Sequence, residues 1–163
     1  MELEAEGSWL TVLELLAEVK LLRLDISQGA RESATRACAA GDQWERALDM
    51  LGGLEAPAAA TVAAVVAAVG QVRDAAAMSR LLAAVGPLLP EADRLYGAIA
   101  RHAARAGLLQ EAYDITERLI RAETYIEEST FSTLALELVK AGEADMAEEV
   151  LEWKDYLAVG WDE

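Results

Sequence analysis

The side chains best suited to chemistry lie between residues 94 and 105, where Arg94, Arg101, His102 and Arg105 form the chain's one concentration of basic groups. Arg101 and Arg105 are four residues apart and share one face of a helix. A guanidinium pair of that kind grips a phosphate or a carboxylate through paired hydrogen bonds. The same face could instead be solvated and matched to neighbouring carboxylates. His102 is the sole histidine, and no motif places a serine or cysteine nucleophile beside it. Cys38 is the sole cysteine, which excludes an intramolecular disulfide and a cysteine-based zinc cluster. Within "TRACAAG" it reads as a packed core thiol. The acidic pairs Glu127-Glu128 and Glu148-Glu149 are adjacent, so on a helix they point apart, and no calcium-loop or phosphate-loop motif occurs. The residues thus point to binding without catalysis, with no catalytic residue, no metal site and no cofactor.

Charge narrows the choice of partner. The chain carries 29 acidic against 14 basic side chains in 163 residues, a formal net charge of −15. That field repels polyanions and anionic membranes, so broad nucleic-acid binding is disfavoured while a local basic strip remains possible. The uncharged run 56–72, "APAAATVAAVVAAVGQV", is at the short limit for a membrane span and rich in alanine, so a buried helix is expected and no stable span. The opening "MELEAEGSW" resembles neither a secretory signal nor an Arg-rich transit peptide; the chain is expected either to stay where it is made or to have lost a leader.

The elements that must position these groups are helices. Hydrophobic residues make up 54% of the chain, and no alternating strand pattern or hairpin turn appears. Two stretches align at an offset of 35 residues: Tyr96 with Phe131, Ala106-Gly107 with Ala141-Gly142, and Ala112 with Ala147. The same offset relates Trp9 to Trp44, whereas Ala47 to Ala75 spans 28 residues and Ala75 to Ala112 spans 37. Gly41, Gly70, Gly107 and Gly142 each close an apolar segment, where a left-handed cap is expected. Asp42 and Glu45 have capping-box spacing. Pro57 and Pro90 suit first helical turns, and Pro87 helps end the helix before it. The expected fold is all-α, a right-handed α-solenoid of stacked antiparallel helix hairpins over 1–163 as a single domain. A lone helix occupies about 8–22, and hairpins occupy about 30–54, 57–85, 91–122 and 128–158. One such pair cannot bury its own apolar face, and stacking does.

On these residues the chain resembles the pentatricopeptide repeat (PPR) family, with tetratricopeptide repeats a close relative in shape. The stretches "TFSTLALELVKAGEADMAEEVLEWKDYLAVGWD" and 93–127 carry the resemblance most strongly, and "ACAAGDQWERALDML" looks like a variant unit. The resemblance implies a chloroplast or mitochondrial location and single-stranded RNA binding at one nucleotide per repeat. It places the base-reading positions at Glu32, Ala60, Gly97 and Ser132, and their end-of-repeat partners at Glu127 and Asp162. Only Ser132 with Asp162 resembles a reading pair; Ala60 and Gly97 offer no polar side chain, and Glu32 repels phosphate. The expectation is therefore a protein–protein interaction module, an accessory subunit of a larger organellar protein complex. RNA binding through Arg94, Arg101, Arg105, Ser132 and Asp162 is the alternative. In the last helix and tail, "WKDYLAVGW", the residues Trp153, Tyr156 and Trp161 are the expected partner-docking side chains.

Overall fold

The computed structural model describes residues 2–22, 25–90 and 93–160. Nine helices and no strands are present among them: α1 (Glu2–Leu21), α2 (Gln28–Ala40), α3 (Trp44–Gly52), α4 (Ala59–Val72), α5 (Ala75–Val85), α6 (Leu95–Arg105), α7 (Leu109–Arg121), α8 (Glu128–Lys140) and α9 (Ala144–Gly160). The chain divides into two compact units, residues 1–71 with 80–88 and residues 72–79 with 89–163, so α5 belongs partly to each.

In the first unit α2 packs against both α1 and α3. The stripe Cys38, Leu48 and Leu51 is removed from water together with Val62, Val65, Val66 and Val69 of α4. The uncharged run thus forms a helix of 14 residues that is buried along one face and leaves Ala60, Ala67 and Val72 exposed. Among the described residues no helix is long and apolar enough to cross a membrane. In the second unit α6 packs against α7 and α8, α8 also touches α7, and α9 packs on α8. Ile99, Ala103, Leu119, Leu134, Leu138 and Val150 form its core. Burial of each such large aliphatic side chain contributes about 1.5–3 kcal/mol.

Four threonines are buried, and each hydroxyl has a partner, as burial requires. Thr35 and Thr116 donate to the carbonyls of Arg31 and Ala112 one turn earlier (both 2.8 Å). Thr61 donates to Glu32 Oε2 (2.9 Å), and Thr130 donates to the Gly97 carbonyl (3.3 Å).

The turns that end α2, α6 and α8 share one device: an amide bonded to a carbonyl five residues earlier, Gln43 to Cys38, Leu108 to Ala103 and Glu143 to Leu138 (all 2.9 Å). Gly107 (φ +90°) and Gly142 (φ +84°) supply the left-handed residue there. The other two expected glycine caps are not formed. At the first turn Asp42 takes the left-handed conformation (φ 59°), which Asp tolerates better than most residues. Gly41 (φ −91°) is needed for a different reason, because a Cβ on it would lie 2.0 Å from Cδ1 of Trp9. Gly70 lies inside α4, and the left-handed residue falls at Arg73 (φ 54°). The Asp42–Glu45 capping box is likewise not formed, since α3 begins at Trp44 after Gln43 with no side-chain cap. Pro57 and Pro90 both precede their helices instead of entering the first turn, whereas Pro87 follows the end of α5 at Val85.

Candidate functional site

The basic strip on α6 is only partly open. Arg101 is half-buried, and its guanidinium donates to Glu127 Oε2 (2.9 Å) and Ser129 Oγ (2.7 Å) at the start of α8. That hydrogen-bonded ion pair holds the Glu127 carboxyl below its ordinary range. Arg94 is exposed and lies 5.9 Å from the Tyr125 ring centroid, while Arg105 is exposed. His102 sits half-buried with Nδ1 enclosed and without a hydrogen-bond partner. Burial lowers its pKa first, and the adjacent Arg101 and Arg105 charges lower it further. The imidazole is thereby held in its neutral form at neutral pH. Of the strip, Arg94 and Arg105 face water, and Arg101 is engaged within the unit.

The base-reading positions of the family resemblance differ in burial and in what they bond to. Glu32 of α2 accepts hydrogen bonds from Thr61 Oγ1 (2.9 Å), the Ala58 amide (3.2 Å) and Gln28 Nε2 (3.3 Å). It thereby ties α2 to the entry of α4, and the Thr61 bond is the main cause of its lowered carboxyl pKa. Ala60 is exposed and Gly97 buried. Ser132 is exposed, and its hydroxyl donates to the Glu128 carbonyl in its own helix (3.2 Å). Asp162, its partner in the expected reading pair, lies outside the described residues, as does Trp161.

Of the expected docking aromatics, Trp153 is half-buried and already has an intramolecular neighbour: its ring lies 4.9 Å from that of Tyr113, tilted by 40°. Tyr113 donates to Glu149 Oε2 (2.7 Å), and its burial together with that carboxylate pushes its pKa up to about 12. Tyr156 is 77% exposed and stands in solvent. Beside this helix, Tyr125, Ile126, Phe131 and Leu157 line an open hollow of about 230 Å³, with Lys154 paired to Glu128 (2.7 Å) at its rim. Trp9 and Trp44, aligned by sequence, have aligned environments too: Arg46 lies over the first (5.7 Å) and Arg80 over the second (5.9 Å).

Periodicity places Leu151 in the buried stripe of the last hairpin, which the structure corrects, and sequence reasoning missed the other exposed apolar side chains. On α8, Leu136 (55%) and Val139 (59%) face water, and on α9 Leu151 (44%) does so. On α1, Leu10, Leu15 and Leu21 are exposed as well. Adding 35 to the numbers of the α6 and α7 residues identifies the α8 and α9 positions directly, so the signal was within reach.

Among the described residues no group of His, Cys, Asp and Glu is arranged to hold a metal. Cys38 is fully buried, its Sγ 4.0 Å from Met50 Sδ, and burial pushes its thiol pKa up against the opposing charge of Arg46. A thiol so placed is a poor nucleophile. Compared with known protein families the chain matches no family model, and no curated protein matches it.

Proposed function

We propose that the protein is a non-enzymatic PPR-like interaction module, an accessory subunit of a larger organellar complex that works by offering surface to another protein. The carrying observation is that Glu32 and the central arginine of the basic strip, Arg101, are engaged in internal contacts while large apolar groups are left outside. Glu32 holds the entry of α4, and Arg101 is bound to Glu127 and Ser129. Leu136, Val139, Leu151 and Tyr156 meanwhile face water. The proposed arrangement is a right-handed α-solenoid of stacked antiparallel hairpins. Contacts that recur near the repeat length within each unit support it: Trp9 with Arg46, Trp44 with Arg80, and Tyr113 with Glu149, the last 36 positions apart. The organellar location rests on the family resemblance.

The exposed Arg94 and Arg105 favour a second reading, RNA binding along α6. One pair of measurements separates the two. Labelled single-stranded RNA is titrated by fluorescence anisotropy at several salt concentrations, and the native protein is followed by sedimentation from its source. The subunit reading expects no RNA retention at moderate salt and co-sedimentation with a large protein assembly. A salt-steep RNA affinity that Arg101→Glu with Arg105→Glu abolishes would overturn it.

A further inference from the structure

The second unit offers an internal comparison between buried positions on α6 and α7 and the positions 35 residues on in α8 and α9. Helix α8 rests on both α6 and α7. Ala104 of α6 (1% exposed) and Thr116 of α7 (0%) are buried in this unit, and the Gly97 carbonyl accepts from Thr130 of α8. The residues 35 positions on are Val139, Leu151 and Ser132. They are exposed, Val139 at 59% and Leu151 at 44%, and Leu136 extends the stripe one turn from Ser132. Residues 132, 136 and 139 fall on one face of α8. Along α8 and α9, positions equivalent to ones buried in α6 and α7 thus carry side chains that face water, two of them apolar.

Charge selects the occupant. Along the exposed side of α9 stand Glu148, Glu152 and Asp155, again at one-turn spacing, and none of them is ion-paired among the described residues. A second copy would bring the same acidic row, in a chain of net charge −15, against itself. An anionic lipid surface or an RNA would meet the same repulsion.

We infer that the groove between α8 and α9 of the subunit proposed above binds a basic amphipathic helix of another protein, apolar on the face that meets Leu136, Val139 and Leu151 and rich in Lys or Arg along the edge that meets Glu148, Glu152 and Asp155. The helix takes the place relative to α8 and α9 that α8 takes relative to α6 and α7. Desolvating the apolar stripe supplies affinity, and the charged edge sets orientation and excludes acidic competitors.

The test uses the purified full chain and two labelled synthetic helices with the same leucine face, one flanked by lysines and the other by glutamates. Anisotropy titration is expected to give saturable one-to-one binding of the lysine peptide and affinity weaker by about tenfold or more for the glutamate peptide. Val139→Glu and Leu151→Glu, both at exposed positions and checked for retained helicity, are each expected to weaken the lysine peptide by about tenfold. Reversing Glu148, Glu152 and Asp155 to Lys is expected to invert the preference. Reversing Glu14, Glu18 and Glu45 of the other unit, an equal change in net charge, is expected to leave it in place. Equal binding of the two peptides, indifference to Val139→Glu and Leu151→Glu, or an equal response to the two sets of reversals overturns the assignment. So does self-association in sedimentation velocity that Val139→Glu abolishes, because the groove then holds a second copy. Failure of the peptide with co-sedimentation intact removes this site and leaves the subunit reading standing. Peptide binding without co-sedimentation supports the groove and removes the subunit reading.

Discussion

Gly41→Ala tests whether the end of α2 is shaped by Trp9. At this position the backbone, φ −91° and ψ 21°, is open to any L-residue, so chain entropy alone favours alanine by about 0.4–1 kcal/mol. The steric term opposes it. An added Cβ would lie 2.0 Å from Trp9 Cδ1, 2.7 Å from Cγ and 2.8 Å from Nε1. Carbon atoms in contact prefer about 3.5–4.0 Å, so the indole must withdraw by roughly 1.5 Å. In doing so it gives up its seat on α2 and its place 5.7 Å from the Arg46 guanidinium. Overpacking of this kind costs about 1–3 kcal/mol, which leaves a net loss of up to about 2.5 kcal/mol.

The background variant Trp9→Ala isolates the cause. With the indole gone, the collision disappears, and Gly41→Ala becomes neutral or stabilising by about 0.5 kcal/mol. The coupling between the two sites is then about 1–3 kcal/mol, within the range of directly contacting residues. Urea unfolding followed by far-ultraviolet circular dichroism on the four proteins of the cycle measures it. A Gly41→Ala penalty that is the same size with and without Trp9 would refute the packing argument and return Gly41 to the role of an ordinary helix stop.

Glu32 carries a pH signature. Its carboxyl pKa is lowered from 4.5, chiefly by the Thr61 hydrogen bond, so the unfolded chain binds the proton more tightly than the folded one. The contribution is present above the unfolded value and is lost as pH falls through the folded one. Glu32→Gln should lower the urea midpoint at about pH 6 and converge with the parent near about pH 3. His102 acts in a higher window. Its folded pKa lies below 6.5, so stability falls as acidification takes the unfolded chain through that value. His102→Leu should flatten this slope, and an NMR titration of the imidazole should show its pKa rising in Arg105→Gln. Cys38 should react with Ellman's reagent only on unfolding, because its sulfur is enclosed; rapid modification of the native protein would contradict the burial.

What could be read from the chain in advance was what depends on spacing alone. Apolar stripes at helical period place Leu48 with Leu51, Ile115 with Leu119, and Val150 with Leu151 on inward faces, and all of these are buried except Leu151, which is 44% exposed. The turns at Gly107 and Gly142 were legible because the glycines do there what only glycine does cheaply. Gly41 carries the same letter for an unrelated reason, the approach of an indole from another helix, and a reading confined to neighbours in sequence has no access to it. Polar side chains show the same division. Glu32 looks in the sequence like a charge that repels a nucleic acid. In the fold it satisfies the Ala58 amide at the start of a helix 26 residues away. Arg101 looks like half of a phosphate clamp, yet Glu127 and Ser129, brought in by the packing of α8 on α6, occupy it. Side chains with several hydrogen bonds to give take their meaning from the partner that packing delivers. Apolar ones at a known period need only the period, and for that reason the exposed Leu136 and Val139 are the more informative departure. At their positions the 35-residue spacing continues, but nothing among the described residues rests on them, and the proposed partner site is argued from that water-facing apolar stripe.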